Sequence, residues 1–461
     1  MKEVALTKFK TKYIPIVISY ILLIFAGYAL KAFPVIIVIE SILLIIFIAL
    51  FFTNIEATIQ LLIITRPLLG LTTFVIIFPL SGVIHGGINL AAVLSIFIIW
   101  GGVIYILLIL SEFNVLELPI LKPYILFLII CLISISVSGN LLKGLSEWLK
   151  FVSPLIMYIL IVSLLKRKEQ IMRLIYAIFF STFIPVMIGF YQFFTGTGDT
   201  SSTFGFNRIF ATFMNPNSYS VYLMIPLSIA FTFLLQSGIK KPGYSLLSLV
   251  LGVSIFLTFT RTAWIGVLFM ILTISILKYR RLLIIMPLIL AFLIVVIPVI
   301  PQRFSDIFNP LSYWRNPLET RFWLWQGTFS FFFDKPFLGY GLGAFESLAL
   351  EALNSPKYAH NDYLRLLLET GILGLGAYLL LLFTLIKDTF KTYQRTKEPY
   401  FQAITLGFIS VFVAFIIMNI TENLITDVTI QWYFWIYAAM VHSIYHIEQR
   451  EVKNHEDIIG R

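Results

Sequence analysis

Residues 400–420 read YFQAITLGFISVFVAFIIMNI, twenty-one positions without a charged side chain. At about 1.5 Å per residue, a helix of this length runs roughly 30 Å, the thickness of a bilayer's hydrocarbon core. The same measure applied outward along the chain gives fourteen candidate spans. They are 13–31, 34–53, 59–80, 89–110, 121–138, 147–165, 171–194, 217–236, 244–260, 262–277, 282–300, 361–386, 400–420 and 429–447. Arg66-Pro67 interrupts the third. Arg261 stands in the middle of 244–277, and a lone arginine at mid-bilayer costs roughly 2.5 kcal/mol or more. That stretch therefore reads as a helical hairpin with Arg261 at its turn. The expected fold is an all-α polytopic membrane protein of 12–14 helices.

Composition agrees. Of 461 residues, 59% are hydrophobic and only 12% charged, about half the charge of a soluble domain, and the mean hydropathy is +0.95. A water-soluble enzyme, a disordered chain and a nucleic-acid binder are excluded. The net charge of +10 instead fits basic loops on the cytoplasmic side of a membrane. Such loops are Lys166-Arg167-Lys168, Lys240-Lys241, Lys278 with Arg280-Arg281, and Lys387, Lys391, Arg395 and Lys397. With Lys2, Lys8, Lys10 and Lys12 they all fall on one side. The first apolar stretch lacks a small-residue cleavage site and reads as a retained span. Cys131 is the single cysteine, so no intrachain disulfide forms.

The opposite face receives the 195–216 loop, Arg261, Thr421-Glu422-Asn423, Asp427 and the long segment 301–360. The chain thus divides into N-terminal helices (1–300), an external segment (301–360), and C-terminal helices with a short cytoplasmic tail (361–461). The external segment is aromatic: Tyr313, Trp314, Phe322, Trp323, Trp325, Phe329, Phe331, Phe332 and Phe333. These suit interfacial helices at headgroup level, and equally a lid over a substrate with lipid and sugar parts.

Polar residues in an apolar chain carry information because burying them is costly. On the outer face stand Arg208, Arg261, Arg321 and His360. Guanidinium groups suit phosphate oxygens, since their fork donates two parallel hydrogen bonds and stays charged. A single arginine at a helix end more often reaches lipid headgroups; three with a histidine on one face point to an anionic ligand. Asn215, before Pro216-Asn217, is a plausible N-cap. His360 opens a helix, where the dipole and nearby arginines favour the neutral imidazole that accepts a proton. His85, His442, His446 and His455 read as structural. Glu369, nine residues beyond His360, lies about 13 Å further along the helix; it cannot share a proton with His360 and reads as orienting a neighbouring helix. Gly371, Gly374 and Gly376 suit close helix packing. Gly339, Gly341 and Gly343 read as a tight turn, with no strand before them as a nucleotide fold needs. The outer carboxylates Asp199, Asp306, Glu319, Asp334, Glu346, Glu351 and Asp362 are not paired at short spacing, so neither a metal site nor another cofactor is expected. A nucleophile elbow, a P-loop and a zinc motif are missing from the sequence.

The segment from Tyr358 through His360-Asn361-Asp362-Tyr363-Leu364 to Glu369-Thr370-Gly371 and Gly374 resembles the signature of the O-antigen ligase and O-antigen polymerase superfamily. Arg208 to Asn217, Thr260 to Gly266, and Arg321 to Trp325 continuing to Asp334–Gly341 agree in order and spacing. Arg66-Pro67 with Gly87 to Ala91 also fits. The resemblance implies a GT-C-type glycosyltransferase of the inner (cytoplasmic) membrane with its site facing outward. It would move a glycan from undecaprenyl pyrophosphate to an acceptor hydroxyl, with inversion and without a metal. By the same analogy Arg261 and Arg321, with Arg208, hold the pyrophosphate, and His360 activates the acceptor. Asn217, Asn361, Tyr363 and Glu369 support them. Fourteen spans favour a polymerase joining lipid-linked repeat units, with a chain-length regulator as a candidate partner. The alternatives are a ligase passing the polymer to lipid A core or another surface acceptor, and a lipid-linked sugar transporter. The transporter would predict repeated halves and charges at mid-membrane.

Overall fold

The structure, a computed structural model, describes residues 45–72, 90–109, 113–199, 207–238, 241–305, 317–353 and 360–459. The expected span 13–31, the first part of 34–53, the end of 59–80, the N-terminal lysines, His85, Gly87–Asn89, Lys240, Asp306, Tyr313, Trp314 and Tyr358-Ala359 lie outside them. Among the described residues the chain is helical without a named strand, and it is an all-α polytopic membrane protein. Among the described residues six helical stretches are long and apolar enough to cross a bilayer: Ala92–Ile109, Leu141–Leu164, Lys168–Thr195, Pro216–Ser237, Asp362–Arg395 and Pro399–Met418. Four shorter apolar helices accompany them: Leu121–Ile135, Pro242–Leu257, Arg261–Leu277 and Leu282–Val296.

The last helix, Val428–Ile459, is the axle. Every residue from Ile430 to Val441 is buried, as expected of a helix surrounded on all sides. Its aromatic side chains bring their own polar atoms into the core and each finds a partner. Trp432 Nε1 donates to Ser153 Oγ (3.1 Å) and Tyr437 OH to the Ile404 carbonyl (2.7 Å). Tyr433 OH donates to the carbonyl of Ile63. Arg66 ends the Ile55–Thr65 helix and lays its guanidinium 4.5 Å from the Trp432 ring centre. This is why the Arg66-Pro67 break is tolerated: the chain turns there into a 3-10 segment, Arg66–Thr72, with the cation against an aromatic face. Leu282–Val296 lies at the other extreme, with Ile284, Leu288, Phe292 and Val295 exposed along it, a face suited to lipid.

Two expected spans are not single straight helices. Residues 171–194 form Lys168–Ser181 and Phe183–Thr195, broken at Thr182. Pro185 lacks an N–H and its ring opposes the carbonyl four residues earlier. Asp362–Arg395 kinks at Gly371, whose φ is +66°. The kink receives the external segment: Tyr340 N–H donates to the Leu368 carbonyl (2.9 Å), Gly341 N–H to the Glu369 carbonyl (2.9 Å), and Ile372 N–H to the Pro336 carbonyl (2.8 Å). A Cβ on Gly371 would stand 2.1 Å from the Phe337 carbonyl oxygen, and one on Gly339 2.3 Å from that of Leu368. The expected close packing therefore holds at Gly371. Gly376 faces open space.

The bundle's two ends differ chemically. At one, the basic connections are tied together around the start of Pro399–Met418. Lys168 pairs with Glu398 (2.7 Å), Lys278 donates to Gln402 (2.6 Å) and Lys241 to Tyr400 OH (2.7 Å). His442 belongs to this half and pairs with Asp388 (2.7 Å). At the other end Leu257, Met418 and Thr195 finish their helices while Pro216, Arg261, Asp362 and Val428 begin theirs.

Gly371→Ala forces a side chain into left-handed backbone and onto a carbonyl. It should lower stability by about 2 kcal/mol or more, read as an earlier thermal transition of the detergent-solubilised protein.

Candidate active site at the polar end

Three sequence-selected arginines lie at this end, Arg321 and Arg208 coupled to one carboxylate, Glu422, and Arg261 coupled to Arg208. Arg208 is fixed first. Its backbone pairs with that of Asp199 (2.8 and 3.1 Å). Its Nε donates to the Thr258 carbonyl (2.9 Å), and its Nη2 to Asn217 Oδ1 (3.0 Å) and Thr260 Oγ1 (3.1 Å). The strap that follows is pinned by Gln192, whose amide oxygen accepts from the N–H groups of Phe210 (3.0 Å) and Ala211 (2.8 Å). Thr212 Oγ1 donates to the Pro67 carbonyl (2.7 Å). Asn215 caps Pro216–Ser237 by accepting from Ser218 N–H (2.8 Å), as its sequence position implied.

Asn217 lies two residues inside that helix and faces both ways. Its oxygen accepts from Arg208; its nitrogen donates to both oxygens of Glu422 (3.1 and 3.0 Å). Thr262 Oγ1, one residue after Arg261, donates to Glu422 Oε1 (3.0 Å). Burial pushes the Glu422 carboxyl above the usual carboxylate range, while the charges of Arg321 and Arg208 and these two hydrogen bonds pull the other way. Burial likewise lowers the Arg208 guanidinium below its usual value, opposed by Asp199 and Glu422 and reinforced by Arg261. The electrostatic couplings thus link Arg321 and Arg208 to one glutamate, and Arg261 to Arg208. Arg261 is the first residue of Arg261–Leu277, at the turn expected of the hairpin, and Arg321 lies in Pro317–Phe332 of the external segment.

His360 directly precedes Asn361, the N-cap of Asp362–Arg395, whose Oδ1 accepts from Leu364 N–H (3.0 Å). Asp362 ties this helix start to the turn carrying Glu422. Its N–H donates to the Asn419 carbonyl (2.9 Å), and its Oδ2 accepts from the N–H groups of Leu424 (2.6 Å) and Ile425 (3.0 Å). The imidazole's own residue is half-buried with φ of +45°. Among the described residues the non-glycine positions with left-handed backbone are Ala211, Phe259 and His360. Each lies within three residues of a proposed site arginine or is itself the site histidine. Such backbone costs on the order of 1 kcal/mol or more apiece and collects at functional sites.

Two supporting residues work elsewhere. Tyr363 OH donates to the Ile416 carbonyl (2.9 Å). Glu369 sits deeper, in a buried ion network: Arg365 Nε reaches Glu369 Oε1 (3.2 Å), its Nη2 reaches Glu147 Oε2 (3.0 Å), and its Nη1 donates to Thr426 Oγ1 (3.2 Å). Glu369 also accepts from the N–H of Phe345 in the external segment (3.2 Å). The Gly339–Gly343 turn directs the N–H groups of Tyr340 and Gly341 to the helix kink, not toward a ligand. Sequence reasoning passed over Glu422, Arg365 and Glu147 as site members. The signal was available: each is a charge beside or within an apolar run.

Residues 246–379 match the family model described as O-Antigen ligase, a segment that holds Arg261, Arg321 and His360 and stops short of Glu422. A segment of this polytopic membrane protein is thus similar to the O-antigen ligase family, and the chain is a glycosyltransferase-type enzyme of ligase or polymerase kind. Among its curated relatives, the teichuronic acid biosynthesis protein TuaE of Bacillus subtilis (strain 168) is 25% identical over 342 residues, covering 67% of this chain and 68% of that one. The ComP-specific O-oligosaccharyltransferase of Acinetobacter baylyi (strain ATCC 33305 / BD413 / ADP1) is 27% identical over 197 residues, 39% of this chain and 35% of that one.

Glu147 also pairs with Lys150 (2.5 Å), so Arg365→Met would strand Glu369 alone and should cost about 3–5 kcal/mol. Adding Glu369→Gln should return most of it, as followed by thermal unfolding.

Proposed function

We propose that this enzyme transfers a glycan from a polyprenyl pyrophosphate to an acceptor hydroxyl at the outer face of the cytoplasmic membrane. It joins lipid-linked repeat units into a surface polysaccharide. The observation that carries this reading is the convergence of Arg208, Arg261 and Arg321 on one end of an apolar bundle, next to the helix start that holds His360. The basic loops gathered at the other end support placing the arginines outside.

The chemistry follows from charge. The acceptor oxygen attacks the anomeric carbon from the face opposite the pyrophosphate. The glycosidic C–O bond breaks, and its electron pair leaves on the phosphate oxygen. His360 takes the hydroxyl proton and passes it to water. Arg261 and Arg321 meet the charge developing on the leaving group, with Arg208 behind them. They act in a partly dehydrated site, where preorganised donors are strong. Guanidinium charge here does what a divalent cation does in other transferases, so the reaction is expected to run without metal. The polyprenyl tail lies along the exposed apolar helix faces and the sugars reach the aqueous side.

Polymer formation is favoured because the relative named for teichuronic acid biosynthesis aligns along two thirds of this chain. A chain-length regulator would then be a partner. The relative named as an oligosaccharyltransferase supports the second reading, a ligase that delivers the glycan to lipid A core or another surface acceptor. Purified enzyme given lipid-linked repeat units alone distinguishes the two: a ladder is the polymerase result, and product only upon adding a separate acceptor is the ligase result.

His360→Ala should remove transfer while expression and thermal stability persist; near-normal polymer from it would take His360 out of the mechanism. Arg261→Lys and Arg321→Lys should each lose about a hundredfold in rate, because the ammonium lacks the planar fork. Activity should persist in EDTA, and loss restored by magnesium would replace the arginine mechanism with a metal one.

A further inference from the structure

The mechanism above gives Glu422 no task, yet it is buried and coupled to two of the site's cations, Arg321 and Arg208. Its placement is built. Asn217 grips both carboxylate oxygens and also holds Arg208, while Thr262 reaches it from the turn that begins with Arg261. Two helix starts and the Asn419–Asp427 turn are therefore locked around one negative charge. A proton-accepting role fits poorly: both oxygens already accept hydrogen bonds from Asn217, and one of them a third from Thr262.

We propose that Glu422 is a fixed counter-anion that competes with the departing diphosphate for the arginines and so speeds product release. This rests on the diphosphate reading given above. The need for such a group follows from the reaction. The donor is a diphosphate diester; the product is a diphosphate monoester, whose extra ionisation near pH 6 adds about one negative charge at neutral pH. A site of arginines alone would hold the product more firmly than the donor and stall after each transfer. Product release limits turnover in many enzymes. A permanent carboxylate beside the arginines costs both ligands binding energy, and costs the more highly charged product more. It also keeps the arginines from repelling one another while no ligand is bound.

Binding of farnesyl diphosphate, a short polyprenyl diphosphate, to the detergent-solubilised full chain tests this by calorimetry. Glu422→Gln keeps shape and removes charge; it should bind the probe about tenfold tighter. Its steady-state turnover should fall while the rate of a single turnover is kept. Glu422→Asp, which keeps the charge, should stay within about twofold of the unmodified enzyme in affinity. Equal or weaker binding by a folded Glu422→Gln variant overturns the proposal. In the unmodified enzyme, product inhibition supplies a measurement that needs no variant. An inhibition constant for polyprenyl diphosphate at or above the donor KM supports the counter-anion; one far below it overturns it. No binding of the probe by the unmodified enzyme overturns the diphosphate reading itself, and this inference with it.

Discussion

The controlling constraint is the cost of placing charge inside an apolar bundle. With hydrocarbon around most helices, an ionised side chain must reach an end, find a partner, or do both. The chain does each in a different place. Lys168, Lys278 and Lys241 of the basic connections bind Glu398, Gln402 and Tyr400 at one end. At the opposite end Arg321 and Arg208 are coupled to Glu422, and Arg261 to Arg208. Arg365, buried one turn into its helix, is held between Glu147 and Glu369. A site for an anionic lipid headgroup is what this sorting produces at a membrane face. Cations that could not be buried singly become stable together because a carboxylate and an amide hold them in register.

The external segment serves the site through its attachment. It is fastened at the Gly371 kink by four backbone hydrogen bonds and by Phe345 N–H to Glu369. Arg321 lies upstream of that fastening, on Pro317–Phe332, and His360 downstream of it. Both therefore take their positions from the same helix, which also carries Arg365. The buried network and the kink form a mechanical frame for the two residues that flank the fastening.

Much of this was legible in the sequence. Uncharged runs such as 400–420 gave the helices, because hydrocarbon thickness fixes their length. Arg261 gave the hairpin turn, because mid-membrane arginine is expensive. Asn215 gave a cap, and Arg208, Arg261, Arg321 and His360 marked one face. The rest depended on three-dimensional contacts. Nothing local told that Glu422, over two hundred residues from Asn217, would be held by it. Left-handed backbone at Ala211, Phe259 and His360 has no signature in residues that ordinarily avoid it. Glu369 pairs with Arg365 four residues earlier, but the guanidinium's other carboxylate, Glu147, is distant in sequence. The break at Thr182 was readable from Pro185, though hydropathy alone ran straight through it.

The buried axle has a consequence for how the protein is made. Chains are synthesised from the N-terminus, so Val428–Ile459 arrives after every helix it will touch. Until then Ser153 and the carbonyl oxygens of Ile63 and Ile404 wait without the tryptophan and tyrosines that later satisfy them. The early helices must therefore hold an open slot in the membrane until this helix enters and closes it.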